Sequence, residues 1–327
     1  MISLGGTIAS TSASADGGVV PQLSADDLVG AVPDLRTVAD IEAISFRQLP
    51  SGDISFGDLV ALAHVIEDYE AQGVNGVVVT QGTDTIEEAS FTLDILLDVS
   101  IPVVVTGAMR HPTLASPDGP GNLLSAVKVA AAISARGLGC LVVMNDEVHA
   151  ARFVRKMHSS SLSTFQSPGS GVLGWVAEER VRIVARCAPL ATVNLDESDV
   201  VSPVALVGCA LGDDGRTLGE LQRLGYRGAV IDAFGAGHVP SMMVGAIESL
   251  ATMMPVVLSS RTGAGEVLEH TYGFAGSESD LLSRGVISGG ALDGRKSRVA
   301  LTLALAASRD AKNTTALFVK VRDSLSY

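Results

Sequence analysis

At 327 residues the chain is too long for one small core and comfortable for two domains. Apolar residues make up 47% and charged residues 18%, which excludes a disordered chain, and a net charge of −13 without any basic stripe argues against a nucleic-acid partner. Three cysteines, Cys140, Cys187 and Cys209, give an odd count without metal-ligand spacing, so neither a disulfide framework nor a metal site is expected. The numbered chain opens without a basic-then-apolar leader, and no run has the length of a membrane span, so the expectation is a cytoplasmic protein without a membrane partner.

Taken in chain order, aliphatic runs recur and each ends in a polar or glycine-rich turn. Residues 1–4 run into GGT, 76–80 into QGTDT, 102–106 into GAMR and 140–144 into NDEVH. Short continuous apolar runs suit strands buried on both faces. Between them Leu59, Leu62, Ile66 and Tyr69, and then Ile86, Ala89, Leu93 and Leu97, recur at helical spacing. Around 186–203 the pattern breaks into a mixed stretch with two prolines, and alternation then resumes. Strands are predicted over 203–207, 229–233 and 255–258, and helices over 218–224, 242–253 and 295–307, before a terminal segment over 315–325.

The order predicts an α/β protein. A larger, doubly wound, mainly parallel catalytic domain is expected over 1–190, a linker over 191–203 and a smaller α/β domain over 204–327. There is no short-period repeat.

In open parallel sheets ligands collect beyond the carboxyl ends of the strands, so GGTIAS, QGTDT and GAMR should gather on one rim. Glycines there let backbone N–H groups approach an oxyanion or a carboxylate. A threonine hydroxyl is a nucleophile only with a base or a cation beside it. Thr83 is followed directly by Asp84, and the candidate base is Lys156, in RFVRKMHSSS. This set predicts attack of a threonine on a carbonyl, an oxyanion held by backbone donors, and hydrolysis of an acyl-enzyme. Either glycine turn alone reads first as a tight turn with a helix cap, and only the combination points to chemistry. His149 and His158 read as capping or surface groups. The glycine pattern is neither the dinucleotide fingerprint nor a phosphate loop, so no cofactor is expected.

Together the stretches LGGTIAS, TQGTDTIEE, TGAMR with SPDGPGNLLSAV, and VVMNDEVHAARFVRKMHSSSLSTF resemble the two-domain, bacterial-type L-asparaginase family. The likeness continues through FGAGHVP, SSRTGAG and YGFAGSESDLLSRGVISGGALDGRKSRVALTLAL, and so covers nearly the whole chain in order. The resemblance implies release of ammonia and L-aspartate from L-asparagine. It assigns Thr7 as the primary nucleophile and Thr83, Asp84 and Lys156 as a second catalytic set, with Asp84 also binding the substrate's α-amino group. Ser51 would bind the α-carboxylate, with Gly52, Gly82 and Ala108 lining the pocket. It also implies a homotetramer built as a dimer of dimers, in which the C-terminal domain completes a neighbour's site.

The chain departs from that pattern in three places. The loop after Thr7, STSASADGGVVPQL, is read as a mobile lid, but it has no tyrosine where relatives carry one, near Val19 or Val20. Gly52 stands where many relatives have glutamine, and His238 where many have asparagine. Glu266 and Glu269 are the candidates for the glutamate that relatives lend to a neighbour. Two other functions stay open at this point: a broader amidohydrolase that also uses L-glutamine or D-asparagine, and a binding sensor with little turnover.

Overall fold

A computed structural model of the chain describes residues 1–12, 19–21, 23–308 and 310–325. The chain divides into two compact units, the first ending at Pro189 and the second starting at Leu190.

In the first unit the strands are β1 (Ile2–Gly5), β2 (Ser10–Ser12), β3 (Val19–Pro21), β4 (Ile44–Leu49), β5 (Val77–Thr80), β6 (Val103–Thr106), β7 (Cys140–Met144), β8 (Glu147–Ala150), β9 (Arg155–Lys156), β10 (Phe165–Gln166), β11 (Gly174–Ala177) and β12 (Arg180–Ile183). The helices are α1 (Ala25–Ala31), α2 (Leu35–Val38), α3 (Phe56–Ala71), α4 (Ile86–Leu96) and α5 (Gly119–Ala131). Eight strands form one sheet in the order β12-β11-β8-β7-β6-β5-β1-β4. From β4 to β7 neighbours run parallel, and β8, β11 and β12 add an antiparallel edge.

Of the parallel strands, β1, β5, β6 and β7 are the predicted aliphatic runs, and they are buried on both faces. Val78, Val104, Leu141 and Val143 pack with Leu123, Ala126, Val127 and Ala130 of α5 and with Leu28 and Leu35 of α1 and α2. The alternate residues Val77, Val79, Val103 and Val105 are equally buried and point to the opposite face, where α4 packs on β6 and β7. α3 opens with a reciprocal cap: Ser55 Oγ accepts from Asp58 N–H at 3.1 Å and Asp58 Oδ2 accepts from Ser55 N–H at 3.0 Å.

The sequence reading missed β4, the next strand of that sheet after β1 in the chain, which lies beside β1 at the sheet edge, and it missed α5. It also read His149 wrongly. The ring is fully buried on β8, with Nδ1 3.0 Å from Ser167 Oγ, and burial pushes its pKa down to about 4. His158 does cap a turn: its Nδ1 accepts from the N–H groups of Ser160 and Ser161, each at 3.0 Å.

The second unit holds a parallel sheet in the order β13 (Val204–Gly208), β14 (Gly228–Ala233), β15 (Val256–Ser260) and β16 (Ile287–Ser288). Its helices are α6 (Val244–Met253), α7 (Glu278–Ser283), α8 (Gly294–Ala307) and α9 (Ala311–Asp323). The helix predicted over 218–224 is instead a single 3-10 turn, Leu218–Glu220. Gly219 inside the segment and Gly225 behind it, at φ +88°, leave too little chain for a stable α-helix. Leu218 is still buried, in a core with Ile231, Met243, Ile247, Leu250 and Leu258.

Candidate active site

β1 lies between β4 and β5, and the chain visits β4 first and then crosses to β5. The winding of the sheet therefore reverses at β1. A crevice forms at such a reversal, beyond the carboxyl ends of the strands. Four turns leave those ends side by side: Gly6–Thr7 after β1, the Ser51 turn after β4, residues 81–85 after β5 and Gly107–Ala108 after β6.

Close contact between the first and third turns is built into the glycines. Gly5 and Gly6 have φ of +104° and +85°, the left-handed region that side-chain-bearing residues avoid. A Cβ on Gly6 would lie 2.0 Å from Gly82 N, so the two backbones touch. A Cβ on Gly82 would in turn lie 2.8 Å from Ser51 Oγ, which brings the second turn against the third. The fourth turn is fixed from α5. Asp118 accepts from the N–H groups of Met109 and Arg110 at 2.9 and 2.8 Å, and Asn122 Nδ2 donates to Gly107 O at 3.0 Å.

Lys156 reaches this junction from β9. Its Nζ donates to Thr83 Oγ1 at 2.9 Å and to Asp84 Oδ1 at 2.6 Å. The lysine side chain is only 14% exposed while that of Asp84 is 80% exposed. An ion pair with one partner this exposed stabilises the fold little, so its consequence is orientation of the amine toward Thr83. Thr83 is buried, as are Ser51 and Ala108. Thr7 opens the 3-10 turn Thr7–Ala9, one residue beyond the Gly6–Gly82 contact. Gly52 is exposed, and a Cβ there would meet nothing within 4 Å.

The structure thus brings Thr83, Asp84 and Lys156 into direct contact and sets Ser51, Gly82 and the Thr7 turn against them. Of the lid predicted over STSASADGGVVPQL, residues 13–18 and 22 lie outside the described residues. Of it, β2 and β3 pair antiparallel, Ser12 opposite Val19.

Two groups escaped the sequence reading. Gln81 Nε2 donates to Gly82 O at 3.3 Å and to Thr85 Oγ1 at 3.4 Å, and Thr85 Oγ1 donates to Ser51 O at 2.9 Å, which ties two of the turns together. Both residues stand in the quoted motif, where a third hydroxyl and a side-chain amide were the available signal.

In the second unit, Glu266 and Glu269 are exposed, and the buried acid of that region is Glu278. Burial pushes its carboxyl up, but the N–H groups of Tyr272, Thr271 and Glu278 itself, together with His238, outweigh this and hold it below the usual range. His238 Nε2 lies 3.2 Å from Glu278 Oε2, and its ring stands edge-on to Tyr272 and Phe274 at centroid distances of 4.7 and 5.1 Å.

A hydroxyl, an amine and a carboxylate gathered at the winding reversal of a parallel sheet are the groups a hydrolytic enzyme uses. Residues 1–188 match the family described as asparaginase, N-terminal, and residues 203–318 match the glutaminase/asparaginase C-terminal domain. The chain is 34% identical over 312 residues to the L-asparaginase of Bacillus licheniformis, covering 95% of this chain and 96% of that one. It is 38% identical over 319 residues to a probable L-asparaginase of Deinococcus radiodurans, covering 95% of this chain and 94% of that one. The crystal structure of a probable cytoplasmic L-asparaginase from Campylobacter jejuni superposes with a TM-score of 0.88 at 32% identity, over 98% of each chain. The chain belongs to the asparaginase family.

Proposed function

We propose that this enzyme hydrolyses the side-chain amide of L-asparagine to L-aspartate and ammonia, with Thr7 as nucleophile. The observation that carries the reading is the Lys156 amine, bonded at once to Thr83 Oγ1 and Asp84 Oδ1 beside the contact of Gly6 with Gly82. A zwitterionic substrate needs a carboxylate for its ammonium group and hydroxyl or N–H donors for its carboxylate. Asp84 and Ser51 serve these two ends, and the amide carbonyl then lies between Thr7 and Thr83.

Thr7 Oγ attacks the carbonyl carbon as its proton passes toward the Thr83–Lys156 pair. Backbone N–H groups of the glycine turns hold the oxyanion. The carbon–nitrogen bond breaks as the leaving nitrogen takes that proton back from the pair, and ammonia departs. A water then gives up a proton to the same pair, attacks the ester and restores the threonine.

Homotetramers, in which the C-terminal region of one subunit completes the site of another, are part of this reading, as is a cytoplasmic location. Light scattering on a sizing column tests the first and cell fractionation the second. The open space at Gly52 favours one variant of the reading, a pocket that also admits L-glutamine or D-asparagine. One methylene in a pocket is worth only about 1–3 kcal/mol. A coupled ammonia assay on the three amides, with wild type, Thr7→Ala and Lys156→Met, tests the whole. Ammonia release from L-asparagine in the wild type and a severe but measurable loss of turnover in both variants are expected. Full turnover in both variants would refute it.

A further inference from the structure

We infer that Glu87 is a positioning residue that fixes the Lys156 amine on Thr83. The inference rests on the amide hydrolysis proposed above and adds a residue to its machinery. Glu87 is the second residue of α4 and is 4% exposed. Its Oε2 accepts the main-chain N–H of Lys156 at 2.7 Å, the length of a charge-assisted bond. The two residues are 69 apart in the chain.

The local geometry explains why this acceptor is needed. β9 is two residues long and, among the described residues, pairs with β10 alone, Lys156 standing opposite Phe165. Along that pair Met157 N–H donates to Thr164 O at 2.8 Å, toward β10. Successive amides in a strand alternate in direction, so the N–H of Lys156 points away from the ladder, and there it meets Glu87. A strand this short has few ladder bonds to set its position, and the carboxylate supplies one on its other side.

The result is a clamp with a common base. Residues 83–87 form one continuous turn from the 3-10 segment into α4. Its first two residues hold the lysine's side-chain nitrogen and its last holds the lysine's backbone. The hydroxyl that the amine must serve and the anchor that places the amine therefore move as one piece.

The test compares wild type, Glu87→Ala, Glu87→Gln, Lys156→Met and the Glu87→Ala/Lys156→Met double variant, by kcat and KM for L-asparagine and by crystal structures of the two single Glu87 variants. In Glu87→Ala, kcat falls about 100-fold, the cost of misplacing a reacting group by roughly 1 Å, while KM stays within about threefold. Glu87→Gln keeps an acceptor oxygen and restores kcat to within about fivefold of wild type. The double variant is no slower than Lys156→Met alone, because both changes remove one function. In the crystals, Nζ of Lys156 leaves hydrogen-bond distance of Thr83 Oγ1 in Glu87→Ala and remains in Glu87→Gln.

If the alanine variant does not fold, Glu87→Asp, one methylene short, replaces it with the same expected loss. An alanine variant with wild-type kcat, an unmoved Nζ, or losses that multiply in the double variant would overturn the inference. A wild type that releases no ammonia would refute the proposed hydrolysis instead, and the Nζ position in the variant crystals would still decide the role of Glu87.

Discussion

Gly6→Ala is the sharpest perturbation of the junction on which the site is built. The added methyl would begin 2.0 Å from Gly82 N, 2.4 Å from Gly82 Cα and 2.5 Å from the carbonyl carbon of Gln81. Ordinary contact starts at 3.4 Å, so the Thr7 turn and the Thr83 turn must part by about 1.4 Å at that point. The obstacle is main chain, which has no rotamer to move aside. The backbone itself adds a cost, because φ at Gly6 is +85° and a side-chain-bearing residue there loses about 1–2 kcal/mol. Overpacking adds about 1–3 kcal/mol. Together these come to about 2–5 kcal/mol, from a typical total of about 5–15 kcal/mol.

Parting the turns by more than 1 Å also costs about 100-fold in rate, because the reacting hydroxyl and the amine no longer share one carbonyl. Urea unfolding gives the first quantity and the coupled ammonia assay at saturating L-asparagine the second. A Gly6→Ala enzyme with kcat within about threefold of wild type would show that alignment of the two turns does not govern turnover, and the reasoning would fail.

Three further outcomes follow from named groups. Asp94 and Arg152 form an ion pair at 3.2 Å with side chains 1% and 2% exposed, and Asp94 also accepts from Cys140 N–H at 2.8 Å. Asp94→Ala leaves the buried guanidinium, which also donates to Ala188 O at 2.8 Å, without its counter-charge and should cost about 3–5 kcal/mol in urea unfolding, whereas a loss below about 1 kcal/mol would mean that Arg152 needs no counter-charge there. For His149 the folded-state pKa, about 4, lies below the ordinary histidine value of 6.5. The unfolded chain therefore binds the proton first, so stability is intact above pH 6.5 and falls as pH drops toward 4, by about 3 kcal/mol in all. His149→Gln should remove that part of the slope, and an unchanged slope would contradict the assignment. At position 52 a side chain meets open space, so Gly52→Gln should leave Tm within a few degrees and change the ratio of kcat/KM for L-asparagine over L-glutamine. An unaltered ratio would place position 52 outside the pocket.

The parts legible in the sequence are those where burial is continuous or chemistry is dense. β1, β5, β6 and β7 announce themselves as aliphatic runs because both faces of the sheet are covered. β4 does not, because it lies at the sheet edge and its residues are partly to fully exposed, with Arg47 and Gln48 among them. α5 hides behind Gly119, Pro120 and Gly121, which lower its helix propensity, and packing of Leu123, Ala126, Val127 and Ala130 on the sheet overrides that.

At the site, Thr83, Asp84 and Lys156 could be named from residue type and motif. The bond from Thr85 to Ser51 joins residues 34 apart and the bond from Lys156 N–H to Glu87 joins residues 69 apart. Nothing local in either segment encodes such a bond. It exists only once the sheet has set the register of its strands.

The most direct test of the account is a crystal structure of the enzyme with L-aspartate bound. The account predicts the α-ammonium on Asp84, the α-carboxylate on Ser51 and the side-chain carboxylate between the hydroxyls of Thr7 and Thr83, within reach of the Lys156 amine. Aspartate bound with its side chain turned away from both threonines, or in a different cleft, would contradict it.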